Sequence, residues 1–265
     1  MLTALAEIAD REKPVKHPRT LPFVWPPSAD RRDYFLKVIH RRRGAGKIKE
    51  LLRQTKARRF WRQGLALAAA GFNVPVTAVL GEKHCWGIAE RSFVLTEKIA
   101  GQPLPLYLSA LNYRADDRRQ AKMKRRALAR LGESLRRFHD LGFVHGDLVA
   151  SNIFIAGSSD EPVDFYLMDN DRTQRYPAWL TTQLRRRNLV QLNRLPLAHI
   201  TLQDRMRFLR SYLGVAKLTP QACRFARWLE ARTRRRRNEC DGVDAKVDFR
   251  KLMRWTPDKV ESEHV

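Results

Sequence analysis

Short apolar runs dominate the first hundred residues and predict β-strands. Residues 33–40 (DYFLKVIH) are rich in Tyr, Phe, Val and Ile, and alternate enough to form a strand. Residues 74–99 predict two strands around a turn-rich middle that contains Gly81 and Gly87. Between these stretches, residues 44–72 carry apolar side chains at helical spacing, and Gly71 is suited to cap the helix at its C-terminal end.

After residue 100 the hydrophobic period changes to that of helices. The clearest helix is predicted at 121–140, where one face is apolar, the other is basic, and Gly142 follows the end. The apolar face consists of Leu128, Leu131, Leu135 and Phe138. Two short strands are predicted at 153–156 and 164–168, and residues 178–255 are mostly helical and basic.

This order of elements predicts an α+β fold with two lobes. The first thirty residues (1–30) are rich in Pro and charge and are predicted to be an irregular leader. A strand-rich N-terminal lobe is predicted at 31–99. A larger, mostly helical C-terminal lobe is predicted at 100–265, beginning at the composition break marked by Gly101 and Pro103.

Composition indicates a globular protein that binds an anionic partner. Hydrophobic residues make up 43% of the 265 residues, which suffices for a sizeable core. Lys and Arg number 52 against 28 Asp and Glu, so the net charge is +24. Such an excess predicts nucleic acid, an anionic membrane surface or a phosphorylated substrate as partner, without deciding among them.

Cysteine usage and apolar segments predict a cytoplasmic protein. The three cysteines form no CxxC pair, so neither a disulfide framework nor a zinc site is supported. The N-terminal stretch meets Glu7 and Asp10 early and is not expected to be a signal peptide. The longest nearly uncharged run is interrupted by Asn73 and Pro75 and is too polar to span a bilayer.

The candidate chemistry lies in the loop 145–152 (HGDLVASN), between the clearest helix and the first of the two short strands. Phosphoryl transfer from ATP needs a carboxylate near the acceptor hydroxyl, ligands for magnesium and a cation on the phosphates. Asp147 and Asn152 have the spacing of a kinase catalytic loop, and Asp169 follows at the end of the next strand. We therefore predict that Asp147 faces the acceptor, while Asn152 and Asp169 bind Mg²⁺.

A nucleotide site is predicted in the N-terminal lobe. Lys37 lies within an apolar strand and is predicted to contact the phosphates, although an ordinary exposed strand lysine is the alternative. Residues from Glu97 to Ile99 are predicted to form the hinge that holds adenine through backbone groups. A P-loop at RRRGAGKIKE is rejected, because Arg41 replaces its first glycine and Ile48 its magnesium-binding Ser or Thr. His145 is predicted to hold the loop through hydrogen bonds rather than to perform chemistry.

Five stretches together resemble the lipopolysaccharide kinase (Kdo/WaaP) family, relatives of protein kinases and aminoglycoside phosphotransferases. They run from about residue 33 to 176 and read DYFLKVIHRRRGAGKIKELL, KARRFWRQGLALAAAGFNVP, ERSFVLTEKIAG, VHGDLVASNIFI and FYLMDNDRT. The resemblance implies a bilobal protein-kinase-like fold, ATP and Mg²⁺ as cofactors, and a heptose or Kdo hydroxyl of the lipopolysaccharide inner core as acceptor. By motif position, Asp147 would be the catalytic base, Asn152 and Asp169 the metal ligands, and Lys37 the phosphate lysine.

The sequence departs from the pattern of these kinases in two places. Phe60 stands where a helix glutamate would pair with Lys37, so either Glu50 or another acid replaces it or the nucleotide alone orients the lysine. Gly146 stands where protein kinases have an arginine that meets a phosphorylated activation loop. Gly146 therefore predicts that the protein is not switched by phosphorylation of an activation loop and that its substrate is not a protein.

The positive charge predicts peripheral binding to the cytoplasmic face of the inner membrane. Clusters at 185–187 and 234–237 would contact anionic lipid, with solvated helix faces as the alternative. Three rival functions are a small-molecule phosphotransferase of the aminoglycoside type, a pseudokinase and a nucleic-acid-binding protein. The charge would repel cationic aminoglycosides, the intact site residues oppose a pseudokinase, and no nucleic-acid-binding motif is present. The sequence gives no indication of the oligomeric state.

Overall fold

The structure is a computed structural model that describes residues 20–24, 33–40, 54–85, 88–111, 118–157, 163–194 and 200–241. The chain divides into two compact units. The first consists of Met1–Ala100 with Tyr166–Arg172, and the second of Gly101–Phe165 with Thr173–Val265. Residues 166–172 belong to the first unit because Tyr166 forms a β-bridge with Asn73, and the Leu167 N–H donates to the Asn73 carbonyl at 2.9 Å.

The first unit contains an antiparallel sheet of four strands in the order β1-β2-β4-β3. The strands are β1 (Thr20–Val24), β2 (Asp33–His40), β3 (Thr77–Cys85) and β4 (Ile88–Glu97). The strands predicted at 33–40 and within 74–99 are therefore confirmed. Because side chains alternate between the faces of a strand, Leu36 and Val38 pack on one face, whereas Lys37 and Ile39 lie on the other.

The prediction of an irregular leader over 1–30 is wrong at residues 20–24. These residues form β1, which pairs with β2 in a register that places Thr20 opposite Lys37 and Val24 opposite Asp33. The run TLPFV is short and contains Pro22, so only pairing with a distant strand makes it a strand. The other residues of 1–30 lie outside the described part of the chain.

Helix α1 (Lys56–Ala69) is shorter than the helix predicted over 44–72. It begins where the Thr55 hydroxyl accepts a hydrogen bond from the Arg58 N–H at 3.1 Å, a typical N-cap. It ends before Gly71, whose φ of 77° suits a glycine after a helix, as predicted. Residues 41–53, with Glu50 and the apolar positions predicted there, lie outside the described residues.

The described part of the second unit is mainly helical. Its helices are α2 (Leu104–Ala110), α3 (Arg118–Asp140), α4 (Ala178–Leu192), α5 (Leu202–Leu213) and α6 (Pro220–Asp241). The strands β5 (Gly101–Pro103), β7 (Ile153–Ala156) and β8 (Asp164–Leu167) form a sheet in that order, and β6 (Phe143–Val144) pairs with β9 (Gln174–Arg175). The strands predicted at 153–156 and 164–168 are confirmed, the second to within a residue.

Helix α3 is the longest helix in the described residues, and its predicted apolar face is buried. It packs on α5 with almost no space between the two backbones. A Cβ atom on Gly132 would lie 2.5 Å from the Phe208 carbonyl oxygen and 2.9 Å from the Tyr212 amide nitrogen. Only glycine permits this approach.

The helices of the second unit border an apolar cavity of about 720 Å³ that is partly open to solvent. Its apolar walls consist mainly of leucines of five helices, including Leu108, Leu131, Leu192, Leu209 and Leu229. Arg205 borders the cavity, and its guanidinium donates to the Asn193 carbonyl at 3.1 Å. In the described segments, no helix is both long and apolar enough to cross a membrane.

Several arginines of the two predicted basic clusters are used inside the second unit. Arg185 donates to the Asp140 carboxylate at 3.0 Å, and Arg234 to the Glu230 carboxylate at 3.1 Å. Arg237 is buried and donates to the Asn193 carbonyl at 2.7 Å. Arg186 lies over the Trp228 ring, 5.3 Å from its centroid. Part of each cluster is therefore structural rather than available for binding at the surface.

Candidate active site

The loop 145–152 begins directly after β6 and ends in a 3-10 turn (Ala150–Asn152) that leads into β7. Its two candidate residues are joined through the backbone, because the Asn152 Nδ2 donates to the Asp147 carbonyl at 2.9 Å. The Val149 N–H donates to the same carbonyl at 2.9 Å. Because Nδ2 is directed at this carbonyl, Oδ1 is the end of the Asn152 amide that can act as a ligand.

His145 holds the loop by hydrogen bonding, as predicted. The side chain is fully buried, and its Nδ1 accepts a hydrogen bond from the Asp147 N–H at 3.1 Å. An Nδ1 that accepts this bond is unprotonated, so a neutral ring carries its proton on Nε2. The imidazole thereby fixes the backbone of Asp147 and does not face a substrate.

Lys37 and Asp169 form an ion pair within the first unit. The Lys37 Nζ lies 2.5 Å from the Asp169 Oδ1, and the lysine side chain is 21% exposed. Lys37 projects from the face of the sheet on which α1 packs. The alternative of an ordinary exposed strand lysine is therefore wrong.

Asp169 adopts an unusual backbone conformation. Its φ is 52°, the only positive value among described residues other than glycine. Asp tolerates this left-handed region better than most residues, and such conformations concentrate at functional sites. The turn that follows (Asn170–Arg172) is fixed by the buried Asn170, whose Nδ2 donates to the Leu167 carbonyl at 2.6 Å.

Helix α1 supplies no acidic partner for Lys37. Its sequence, KARRFWRQGLALAA, contains no Asp or Glu, and Phe60 is buried in a cluster with Ile39 and Val94. Nearby on β3, the Glu82 carboxylate binds Arg58 at 3.1 Å and accepts a hydrogen bond from the Thr55 hydroxyl. Among the described residues, the carboxylate that pairs with the Lys37 ammonium is that of Asp169.

Asp171 is a candidate site residue that the sequence analysis missed. Burial raises the pKa of its carboxyl, and the neighbouring Asp169 carboxylate raises it further. Lys37, Lys56 and Arg59 act in the opposite direction on that pKa. The sequence could have indicated Asp171, because it is the second acid of the motif MDNDRT and lies two residues after Asp169.

The predicted hinge follows the end of β4. The Glu97 N–H donates to the Val76 carbonyl at 3.0 Å, and the Lys98 N–H to the Asp33 carbonyl at 2.9 Å. An ion pair of 2.7 Å between the Lys98 ammonium and the Asp33 carboxylate reinforces this connection to β2. The backbone from Glu97 to Lys98 is therefore anchored, and Ile99 follows directly.

The predicted residues fall into two groups, one in each unit. Lys37, Glu97, Ile99 and Asp169 belong to the first unit, and Lys37 and Asp169 are in contact. Asp147 and Asn152 belong to the second unit and are joined by a hydrogen bond. The described residues contain no cluster of three or more His, Cys, Asp or Glu side chains that could hold a metal by themselves. A carboxylate and an amide oxygen, completed by phosphate oxygens, still suit Mg²⁺.

Comparison with solved structures defines the class of the fold. This chain is similar to a structure described as WaaP in complex with acyl carrier protein, with 21% identity and a TM-score of 0.61. The alignment covers 86% of this chain and 91% of the other chain. A PknI kinase domain from Mycobacterium tuberculosis, in a double-mutant form, aligns with 74% of this chain and 68% of its own, at 15% identity and a TM-score of 0.37. The α+β, protein-kinase-like fold predicted from the sequence is confirmed.

The sequence model of the lipopolysaccharide kinase (Kdo/WaaP) family matches residues 8–212, and the chain belongs to this family. It is therefore a kinase, a phosphotransferase with an alcohol group as acceptor. No curated protein sequence matches the chain.

Proposed function

We propose that this kinase transfers phosphate from ATP, with Mg²⁺, to a heptose or Kdo hydroxyl of the lipopolysaccharide inner core. The observation that carries this proposal is the Lys37–Asp169 ion pair on the inner face of the β-sheet. Both residues of the pair have roles in phosphoryl transfer, since a lysine contacts phosphates and an aspartate binds the metal. A pseudokinase would not need to keep such a pair.

The remaining roles follow the motif positions, in two lobes proposed at 31–99 and 100–265. Asp147 would accept the proton of the attacking hydroxyl, and Asn152 would add its Oδ1 to the metal bound by Asp169. When bound, Mg²⁺ would neutralise charge on the phosphates. Adenine would be held by the backbone at Glu97 and Ile99, with the Ile99 N–H as donor because the amides of residues 97 and 98 already bind protein carbonyls.

The acceptor is proposed to be an anionic glycolipid or saccharide, which suits a chain with a net charge of +24. The test is to incubate the purified protein with labelled ATP and candidate core saccharides, and to locate the phosphate by mass spectrometry. Transfer to a heptose or Kdo hydroxyl is expected. Transfer only to simple sugars or aminoglycosides would instead support the small-molecule phosphotransferase.

Replacing the proposed base should reduce catalysis without preventing nucleotide binding. For Asp147→Ala, we expect kcat to fall by about 10²–10⁴ because the acceptor hydroxyl loses its proton acceptor. ATP binding, measured by calorimetry, should be unchanged. The control is Asp164→Asn, which changes an exposed aspartate on β8 and should keep full activity. Unchanged turnover in Asp147→Ala would disprove its role.

Replacing the proposed metal ligand should change the response to magnesium. In Asp169→Asn, the amide removes the negative charge that binds the cation and also breaks the ion pair with Lys37. We expect activity to be lost, with little recovery as Mg²⁺ is raised. The measurement is the initial rate over a magnesium titration. A titration curve like that of the wild type would place the metal elsewhere.

We also propose that the enzyme binds the cytoplasmic face of the inner membrane as a peripheral protein. Arg187, Arg235 and Arg236 are exposed. Each basic residue near an anionic surface contributes about 1 kcal/mol to binding. Trp179, which is 78% exposed at the start of α4, has the side chain favoured at membrane interfaces.

Vesicle pelleting tests the membrane proposal. We expect the protein to sediment with vesicles containing anionic lipid but not with neutral ones, and high salt should release it. Charge reversal at two positions, Arg235→Glu with Arg236→Glu, should lower recovery. Equal recovery with neutral and anionic vesicles would contradict the proposal.

A second proposed partner is an acyl carrier protein. The solved structure described as WaaP is a complex with such a protein. The second unit of this chain contains a cavity of about 720 Å³ with leucine walls, and an acyl chain could occupy it. Arg227, which is exposed at the edge of the cavity, suits the anionic groups of a carrier.

Binding should depend on the acyl chain. We expect tighter binding to an acylated carrier protein than to the same carrier without its acyl group, because only the former buries apolar surface in the cavity. Surface plasmon resonance with both carriers measures the difference. Ala226→Phe would fill part of the cavity and should reduce only the acyl-dependent part. Equal affinity for the two carriers would exclude the cavity as the acyl site.

A further inference from the structure

Asn188 of α4 forms two hydrogen bonds with the backbone of one loop residue. Its Oδ1 accepts from the His145 N–H at 2.9 Å, and its Nδ2 donates to the His145 carbonyl at 2.5 Å. The side chain is almost fully buried. One amide thereby bonds to both backbone polar groups of His145, in the way that a neighbouring strand would.

Gln191 lies one turn further along α4 and binds the loop on the other side of Asp147. Its Oε1 accepts from the Leu148 N–H at 3.4 Å and from the Asn188 Nδ2 at 3.2 Å. The two side-chain amides thus contact each other and hold residues 145 and 148. Asp147 lies between these two points, and its own N–H donates to the His145 ring.

The orientation of the Asn188 amide is fixed by a second buried contact. Its Oδ1 lies 3.2 Å from the His139 Nε2, and the His139 Nδ1 lies 2.8 Å from the Tyr212 hydroxyl. Burial lowers the pKa of His139 to about 4, so the ring is neutral at pH 7. The ring therefore donates from Nε2 and accepts at Nδ1 from Tyr212, which burial keeps protonated by raising its pKa to about 12.

We propose that Asn188 and Gln191 are positioning residues for the phosphoryl transfer proposed above. They contact no reacting group. They hold the backbone on both sides of Asp147, so that its carboxylate keeps the direction needed to accept the proton of the acceptor hydroxyl. The inference rests on the proposed role of Asp147. A displacement of a catalytic group by about 1 Å can lower the rate by about 10²-fold.

A simple structural role would also make these residues important, so the test must separate the two. If the amides act through Asp147, their removal should lower kcat and leave the KM for ATP unchanged. Removing either amide should not lower kcat any further in a protein that already carries Asp147→Ala. A residue that only stabilises the fold would reduce the amount of active enzyme by the same factor in both backgrounds.

The experiment compares four proteins: wild type, Asn188→Ala, Asp147→Ala and the double variant. We expect kcat to fall by about 10- to 100-fold in Asn188→Ala with the KM for ATP unchanged. The double variant should be no slower than Asp147→Ala. Gln183→Ala is the matched control, because it removes an exposed amide from the same helix and should leave kcat unchanged.

Gln191 keeps the test decisive if Asn188→Ala does not fold. Gln191→Ala should lower kcat by about 10-fold, and Gln191→Glu, which keeps an acceptor oxygen for the Leu148 N–H, should restore most of it. An equal loss in both Gln191 variants would overturn the inference. So would a further loss when Asn188→Ala or Gln191→Ala is added to Asp147→Ala. An Asp147→Ala protein with normal turnover would instead remove the proposed base itself.

Discussion

A buried loop outside the regular strands and helices must have its backbone N–H and C=O groups satisfied by side chains, by other backbone groups or by water. This constraint governs the loop 145–152, which links β6 to β7 and contains Asp147. The partners are amides and an imidazole, supplied by α4 and by the loop itself. In these bonds the loop is held by amide groups and by a ring nitrogen rather than by the side chains of Asp, Glu, Lys or Arg.

Charge is used differently in the first unit. There an ammonium and a carboxylate meet directly, on the face of the sheet covered by α1. The resemblance found in the sequence led us to expect a helix glutamate beside Lys37, yet α1 has no acidic residue and places Phe60 in the core. Cations lie on this helix instead, and Lys56 and Arg59 act on the carboxyl of Asp171. The helix therefore complements Asp171 of the turn 170–172 rather than the lysine of the strand.

The pattern of apolar residues predicted the elements in which that pattern is strong or continues over many residues. Helix α3 has six turns of regular spacing, and β2 and β4 carry strong apolar runs. Strand β1 could not be predicted, because TLPFV becomes a strand only through its pairing with β2. The start of α1 was also missed, since Thr55 reads as a cap only once the helix after it is known.

The candidate site was predictable to the extent that its residues follow a motif. Asp147, Asn152, Asp169 and Lys37 occupy motif positions, and contacts in the structure join them in two pairs. Asn188 and Gln191 follow no motif, and they meet the loop across more than forty residues of chain. Arg185 and Arg237 illustrate the same limit, because a run of arginines in sequence does not reveal which members turn inward.

Gly132 extends the rigid region beyond the loop. Where α3 approaches the backbone of α5 at Gly132, little room is left for side chains to adjust, so a displacement of one helix is passed to the other. Helix α3 leads through β6 into the loop, and α5 carries Tyr212, which binds His139 at the end of α3. Asp147 therefore lies in a loop that continues from two helices packed directly on each other, and an incoming substrate meets a preformed arrangement rather than a flexible loop.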